Sequence, residues 1–240
     1  MIEQAGSLAL KCLTVLRKDG LCSFCSRAVD RPGLWMTNSA YWCRADLSVS
    51  RPLRPRPENA KIDFGATEEV QHWLKEIGST FRWAYDEREL RSAQEHSHVY
   101  PLLLIHGVKA GYVKVGFSRA FVSDFGTEIQ IPVDSAFIYD TFVHPDYRGR
   151  GLATILIGAL CGFLRRRPAR FAWCHIPTWN RASRTVYGRN GFKMVRHIRF
   201  VHFLKWRFYS HHPEAVLRGD AVGRGVRHSS DQTCGILDVG

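Results

Sequence analysis

Phe142-Val143-His144-Pro145-Asp146-Tyr147-Arg148-Gly149-Arg150-Gly151-Leu152-Ala153 is the stretch that decides how this chain folds. The apolar run at 136–143 reads as a strand that Pro145 stops. Leu152, Ile155, Leu156, Ala159, Leu160, Phe163 and Leu164 then recur at helical spacing across 151–167, and Pro168 ends the pattern. The first amides of such a helix have no internal partner, and the positive end of the helix dipole stands behind them. A helix start of this kind binds phosphate or diphosphate. Gly149 and Gly151 permit positive φ and a close approach of backbone to the anion, while Arg148 and Arg150 add charge. Two other phosphate loops are excluded. Leu152-Ala153 follows Gly151 where a Walker loop needs Lys-Ser/Thr. Thr154 stands where a dinucleotide fingerprint needs its third glycine.

Working outward, 171–176 reads as a strand and 180–189 as a short helix closed by Asn190-Gly191. Residues 192–209 alternate aromatic and basic and form one or two final strands. Upstream, Ile62 and Phe64 mark a short strand. Thr67, backed by Glu68 and Glu69, caps a helix running to Ile77, and a second helix covers 81–95. The apolar runs 99–105 and 110–117 flank His106-Gly107, a hairpin signal. The order β, α, α, β, β, β, α, β, α, β is that of an α/β fold with a mixed sheet, antiparallel early and parallel around the crossover helices.

The 240 residues suffice for one well-filled core with extensions. Three zones are expected: a basic extension at 1–58, the folded domain at 59–209, and a disordered tail at 210–240. In the first zone Leu8, Cys12, Leu13 and Leu16 fall at helical spacing, and Arg51 to Pro57 is a Pro-rich basic linker. That zone is either a helical extension packed on the domain or a basic element that rests on membrane lipid or an acidic polymer. Lys and Arg number 34 against 22 Asp and Glu, a net charge of +12 that attracts anions. No nucleic-acid motif accompanies this charge, which makes an anionic cofactor the better reading and nucleic acid the rival. Seven cysteines with no secretory segment, and no apolar run of about 18 residues, point to a cytoplasmic protein with free thiols. Cys22 and Cys25 form a lone Cys-x-x-Cys without two further ligands at a recognisable spacing, so no metal is expected.

Arg148, Gly151 and Ala153, placed after Val143-His144-Pro145, resemble the diphosphate loop of the GCN5-related N-acetyltransferase (GNAT) superfamily. Asn180, Ser183 and Tyr187, followed by Gly191-Phe192, resemble that family's later motif, and their spacing puts them on one helix face. The resemblance covers residues 60–207 and is strongest over 136–192. It implies a GNAT-like, mostly antiparallel central sheet flanked by helices, with the basic N-terminal extension outside it. It implies acetyl-CoA as co-substrate and direct attack by a primary amine. The backbone of Phe142 and Val143 would hold the pantetheine arm, with an amide near Val143 available to the oxyanion. The amides of Arg148, Gly149, Arg150, Gly151, Leu152 and Ala153 would hold the diphosphate. Asn180, with Ser183 on its face, would contact the cofactor arm, and Tyr187 would protonate the leaving thiolate. A free thiol near pKa ~8.5 and a phenol near ~10 differ little. Asp140 would serve as base or amine anchor.

Outside the resemblance, Tyr187 reads equally as a core tyrosine and Asp140 as a residue at a strand bulge or beside an Arg. His144 is expected to face solvent, and Cys161 and Cys174 to be small buried hydrophobes. The insertion at 118–134, with Arg119, Asp124 and Glu128, is expected to shape the pocket of an unidentified amine acceptor. The aromatic strand at 192–209 offers an edge for a homodimer. A non-catalytic acyl-CoA sensor on the same fold is the other alternative.

Overall fold

The computed structural model describes residues 35–52, 54–81, 84–203, 206–218, 226–228 and 235–236. The expected helix around Leu8 to Leu16 and the Cys22/Cys25 pair lie outside the described residues.

The sheet is mixed and mostly antiparallel, with helices on both faces. Its first strand in the chain is β1 (Trp35–Asp46), followed by β2 (Ala60–Asp63), α1 (Thr67–Gly78) and α2 (Glu87–Glu95). A hairpin of β3 (Leu102–Ile105) and β4 (Val108–Gly116) comes next, then a small separate hairpin of β5 (Arg119–Val122) and β6 (Thr127–Gln130). The central segment is β7 (Ser135–Val143), α3 (Leu152–Leu164), β8 (Phe171–Pro177) and α4 (Arg181–Arg189). The chain ends in β9 (Lys193–Phe203), β10 (Trp206–Tyr209), α5 (Pro213–Arg218), β11 (Val226–His228) and β12 (Gly235–Ile236). Ten strands lie in the order β12-β11-β10-β9-β1-β8-β7-β4-β3-β2. Among the described residues only β7 and β8 run parallel; the other pairings are antiparallel.

Four sequence expectations change here. The sheet does not begin after residue 58, because β1 fills the slot between β8 and β9. Ala40 and Trp42 on one side of β1, and Cys43 and Ala45 on the other, enter opposite cores. A strand buried on both faces loses the polar alternation that marks strands in sequence. The segment after 209 is not structureless either: Val216 and Leu217 of α5 are buried, and Glu214 Oε1 accepts from the Gln130 amide at 2.9 Å. Finally, the second helix starts at Glu87 instead of Phe81, because the Asp86 carboxylate caps it by accepting from Arg88 N at 2.8 Å. Thr67 does not cap α1; its hydroxyl accepts from Tyr100 N at 3.1 Å and ties α1 to the sheet.

The hairpin signal is realised as drawn: His106 (φ 50°) and Gly107 (φ 78°) both take the left-handed conformation that a tight β3–β4 turn requires. Two cores result. Trp73 and Leu74 of α1, Leu90 of α2, Phe125 of the β5–β6 turn and Leu217 of α5 pack on one face with Trp42, Tyr112, Phe137 and Phe142. On the other face α3 and Tyr187 of α4 pack on Val113, Ala136, Ile138, Cys174 and Ile176.

A buried polar chain spans the first core. His98 Nε2–H donates to Arg119 O at 2.6 Å, so its Nδ1 accepts from Tyr139 O–H at 2.9 Å; Tyr100 O–H in turn donates to Tyr139 at 2.6 Å. This arrangement needs a neutral imidazole. Burial lowers the His98 pKa from 6.5 to about 4. Between those values the unfolded chain binds a proton that the folded chain refuses, so stability rises with pH. The contribution is complete above pH 6.5 and is lost as pH falls towards 4. Chemical denaturation across this window is expected to show a loss of about 3 kcal/mol. In His98→Gln that slope should be absent; a slope equal to wild type would remove His98 as its origin.

Candidate active site

The geometry begins with a fork. Parallel pairing of β7 with β8 ends at Ile138 opposite Cys174. Beyond that point β8 follows β1 to Pro177, and β7 follows β4 to Val143. The cause is a register shift: Lys114 opposes Asp140 while Val115 opposes Ile138, which leaves Tyr139 as the extra residue of a bulge. A bulge bends its strand and increases the local twist, so β7 leaves β8 and a wedge opens between them. His144 N donates to Ala110 O at 2.8 Å in the β4–β7 ladder. The two-residue period of an antiparallel ladder then pairs Phe142 with Tyr112 and turns the main-chain groups of Thr141 and Val143 into the wedge. Of the two residues expected to offer their backbone, Phe142 turns its main-chain groups towards β4, while those of Val143, like those of Thr141, point away from β4. The Val143 carbonyl already accepts from Arg148 Nε at 2.9 Å.

At the mouth of the wedge the chain makes a 3-10 turn over Pro145–Tyr147 and enters α3 through two left-handed glycines, Gly149 (φ 78°) and Gly151 (φ 75°). No side chain caps α3. The bonds that start it run from Thr154 N and Ile155 N to Gly151 O, which leaves the amides of Leu152 and Ala153 ahead of the first intrahelical donors. A Cβ built on Gly149 meets nothing within 4 Å, so this bend is open. Arg148 props the strand end through Val143 O, and the Arg150 guanidinium carbon lies 5.7 Å from the Tyr147 ring centroid.

The far wall of the wedge is α4. Asn180 is its N-cap: the side-chain oxygen accepts from Ser183 N at 3.0 Å. Tyr187, one turn beyond the half-buried Ser183, crosses to β7, where its hydroxyl and Thr141 Oγ1 are 2.7 Å apart. Burial pushes the Tyr187 phenol well above its usual range. The near match to a thiol that the ordinary values suggest is therefore lost for the isolated phenol. The same dry environment disfavours a thiolate too, and raises both groups together.

The bulge has a second effect. It points the successive residues Tyr139 and Asp140 to the same face, opposite Tyr187. Asp140 accepts from Tyr112 O–H at 2.9 Å and lies 3.5 Å from Lys114 Nζ. Lys114 is buried and also donates to Glu89 Oε2 at 2.8 Å and to Ala84 O at 3.0 Å. Burial works against the Lys114 charge, but Glu89 and Asp140 outweigh it and hold its pKa above the usual value. Burial raises the Asp140 carboxyl, and Lys114 offsets part of that rise. Glu89 Oε1 accepts from Ser123 N at 3.0 Å and pins the β5–β6 hairpin beside this face. On the same hairpin Asp124 lies 2.8 Å from Nε2 of the buried His175. Arg119 and Glu128 pair with each other at 3.7 Å. His144 does not face solvent; its ring is half-buried against Phe81, Phe142 and Tyr147. Burial raises the Cys161 thiol to about 11 and holds the Cys174 thiol well above its usual value, so both stay protonated and neither is poised as a nucleophile.

Residues 67–192, just over half of the chain, match the family described as Acetyltransferase (GNAT) family. The chain belongs to this family. Its fold is also that of a GCN5-related N-acetyltransferase from Sphaerobacter thermophilus, with a TM-score of 0.53 at 18% identity. That match covers 75% of this chain and spans 55% of the Sphaerobacter protein. A ribosomal-protein-S18-alanine N-acetyltransferase from Escherichia coli matches with a TM-score of 0.46 at 21% identity, over 58% of this chain and 80% of its own. The aminoglycoside N-acetyltransferase AAC(6')-Iy, in complex with CoA, matches with a TM-score of 0.44 at 21% identity, over 60% of this chain and 95% of its own. No curated protein matches the sequence.

Within this GNAT member, sequence reasoning missed Thr141, Tyr112, Lys114, Glu89 and His175. Lys114 and Glu89 carried no local signal, being 25 positions apart. Thr141 did carry one: it is the polar residue between Asp140 and Phe142 in a strand otherwise apolar from Ala136 to Val143.

Proposed function

We propose that this chain is an acetyl-CoA-dependent N-acetyltransferase that passes the acetyl group directly to a primary amine. The observation that carries the reading is the wedge in which the Tyr187 hydroxyl meets Thr141 beside main-chain groups of β7, at the uncapped start of α3. The cradle suits the donor: the open bend at Gly149 and the amides of Leu152 and Ala153 would take the diphosphate. Thr141 and Val143 would bond the pantetheine arm as an added strand. Acetyl-CoA supplies the activated acyl thioester. The chain supplies the rest. An amide of Thr141 or Val143 would hold the charge that develops on the carbonyl oxygen. Tyr187 would keep a proton at the sulfur until the C–S bond breaks.

The two faces of β7 divide the labour. The donor side carries α3 and α4; the other carries Asp140 and Glu89 around one buried ammonium, with Asp124 on His175. Two carboxylates against the single Lys114 ammonium suit an acceptor that arrives as a cation. Asp140 would anchor that amine and take its proton, and burial of its carboxyl makes it a better base than a surface aspartate.

The test is a calorimetric titration with CoA, followed by thiol release from acetyl-CoA across amines, amino sugars, peptide N-termini and matched neutral alcohols. CoA binding with turnover confined to amines is expected. Binding without turnover on any amine would favour a sensor, and no binding would overturn the reading.

A further inference from the structure

The connection between β1 and β2 has to cross the molecule. β1 lies beside β8, and β2 lies at the opposite edge, beyond β7, β4 and β3. Its route is fixed at several points. Leu47 N donates to Arg170 O at 2.8 Å, and Arg165, just after α3, donates to Leu47 O at 3.1 Å and to Val49 O at 3.3 Å. The chain then passes along the α3–α4 side of the sheet. The Arg51 guanidinium sits against Gly191, where a Cβ would collide with it. A Cβ on Gly151 would lie 2.8 Å from Arg54 Nη1. Ala60 N donates to Pro57 O at 2.9 Å as β2 begins. Asn190 Nδ2 donates to Thr154 O at 3.2 Å and brings the end of α4 to the start of α3, so both arginines serve one locality.

The sequence explains the reach. Pro52, Pro55 and Pro57 favour an extended course of the backbone. Arg51 and Arg54 both reach the α3–α4 locality, and Arg56 is exposed. The two helix ends they meet differ in sign. Arg51 lies at the C-terminal, negative end of α4, where a cation is stabilised. Arg54 lies at the N-terminal, positive end of α3, whose loop also carries Arg148 and Arg150. The one carboxylate of that loop, Asp146, is exposed and lies 3.5 Å from His144. A guanidinium parked at a positive helix end among like charges is disfavoured until an anion joins it.

We propose that Arg51 and Arg54 make this crossover a strap over the donor site. Arg51 anchors it at the end of α4, and Arg54 adds a guanidinium to the diphosphate held at the start of α3. The inference rests on the reading of the wedge as a CoA site, and it assigns a donor-positioning role to residues that lie before the matched family region. The experiment is calorimetry of wild type, Arg54→Ala, Arg54→Lys and Arg56→Ala with two ligands: CoA, and acetylpantetheine, which lacks the diphosphate. Arg54→Ala is expected to weaken CoA about tenfold and leave acetylpantetheine unchanged. Arg54→Lys should recover part of the loss, as a point charge without the planar fork. Arg56→Ala should match wild type. Because Arg54 is exposed, all variants should melt as wild type does. Equal CoA affinity in wild type and Arg54→Ala, or an equal loss with both ligands, overturns the strap and leaves the CoA site standing. A wild-type chain that does not bind CoA overturns both.

Discussion

Tyr187→Phe is expected to lower kcat by about 10²- to 10³-fold while leaving the Kd for CoA within about twofold. The substitution removes one oxygen and little else. The ring would still pack edge-on against Phe192 at 4.9 Å between centroids and stay within the second core. What is lost is the hydroxyl that Thr141 holds at 2.7 Å in the wedge. If that hydroxyl delivers the proton to the leaving sulfur, its absence forces a bare thiolate out of a dry site, and the chemical step slows. In the proposed site donor binding would rest on the α3 amides and the β7 main chain and would not involve it. Burial makes a second, independent demand. A phenol pushed well above its ordinary value stays protonated through the alkaline range, so wild-type kcat should show no descending limb from this group below pH 10. A Tyr187→Phe enzyme that turns over like wild type would make Tyr187 a core residue whose hydroxyl only braces Thr141.

The parts of the molecule that were legible in sequence are those whose physics is local. The glycine loop and α3 follow from a strand stop, two glycines and an apolar stripe within one stretch of chain. The β3–β4 turn follows from two residues that adopt positive φ. The family motif around Asn180 and Tyr187 is likewise contiguous, and it folds as α4 with Asn180 as its cap. Elements that depend on distant chain were not legible. Burial of β1 on both faces erased its period, so Trp35–Asp46 passed as irregular extension. The bulge at Tyr139 arises from mismatch between two strands and has no signature in either alone. The arginines at 51 and 54 look like any basic linker until topology carries them over α3. Lys114 gave the opposite impression to its environment: a lysine in a strand suggests a solvent face, and this one is 1% exposed.

That lysine is where the fold and the acceptor side depend on each other most. Lys114→Met should destabilise the chain by about 3–5 kcal/mol, because removing one partner of a buried ion pair leaves an uncompensated charge. For a chain of this size the loss corresponds to a melting point lower by about 6–20 °C. Methionine would fill the volume, so the deficit would be electrostatic in origin. Glu89 would lose the 2.8 Å contact that Lys114 provides, and Asp140 its neighbour at 3.5 Å. Asp140, raised by burial already, would then rise further without the cation that pulls it down. A carboxyl whose folded pKa exceeds its unfolded value contributes most stability at low pH and loses it as pH rises through the folded pKa. The gap between wild type and Lys114→Met should therefore be smallest in acid and widen towards neutrality; the His98 loss, common to both, cancels in the difference. Lys114→Met/Glu89→Gln should regain part of the deficit, since the amide keeps an acceptor for Ser123 N without the charge. A deficit below about 1 kcal/mol, or one flat with pH, would mean that the carboxylates find solvent without Lys114. The cluster would then be a wet, adjustable surface, and the amine could not rely on a fixed Asp140 to receive its proton.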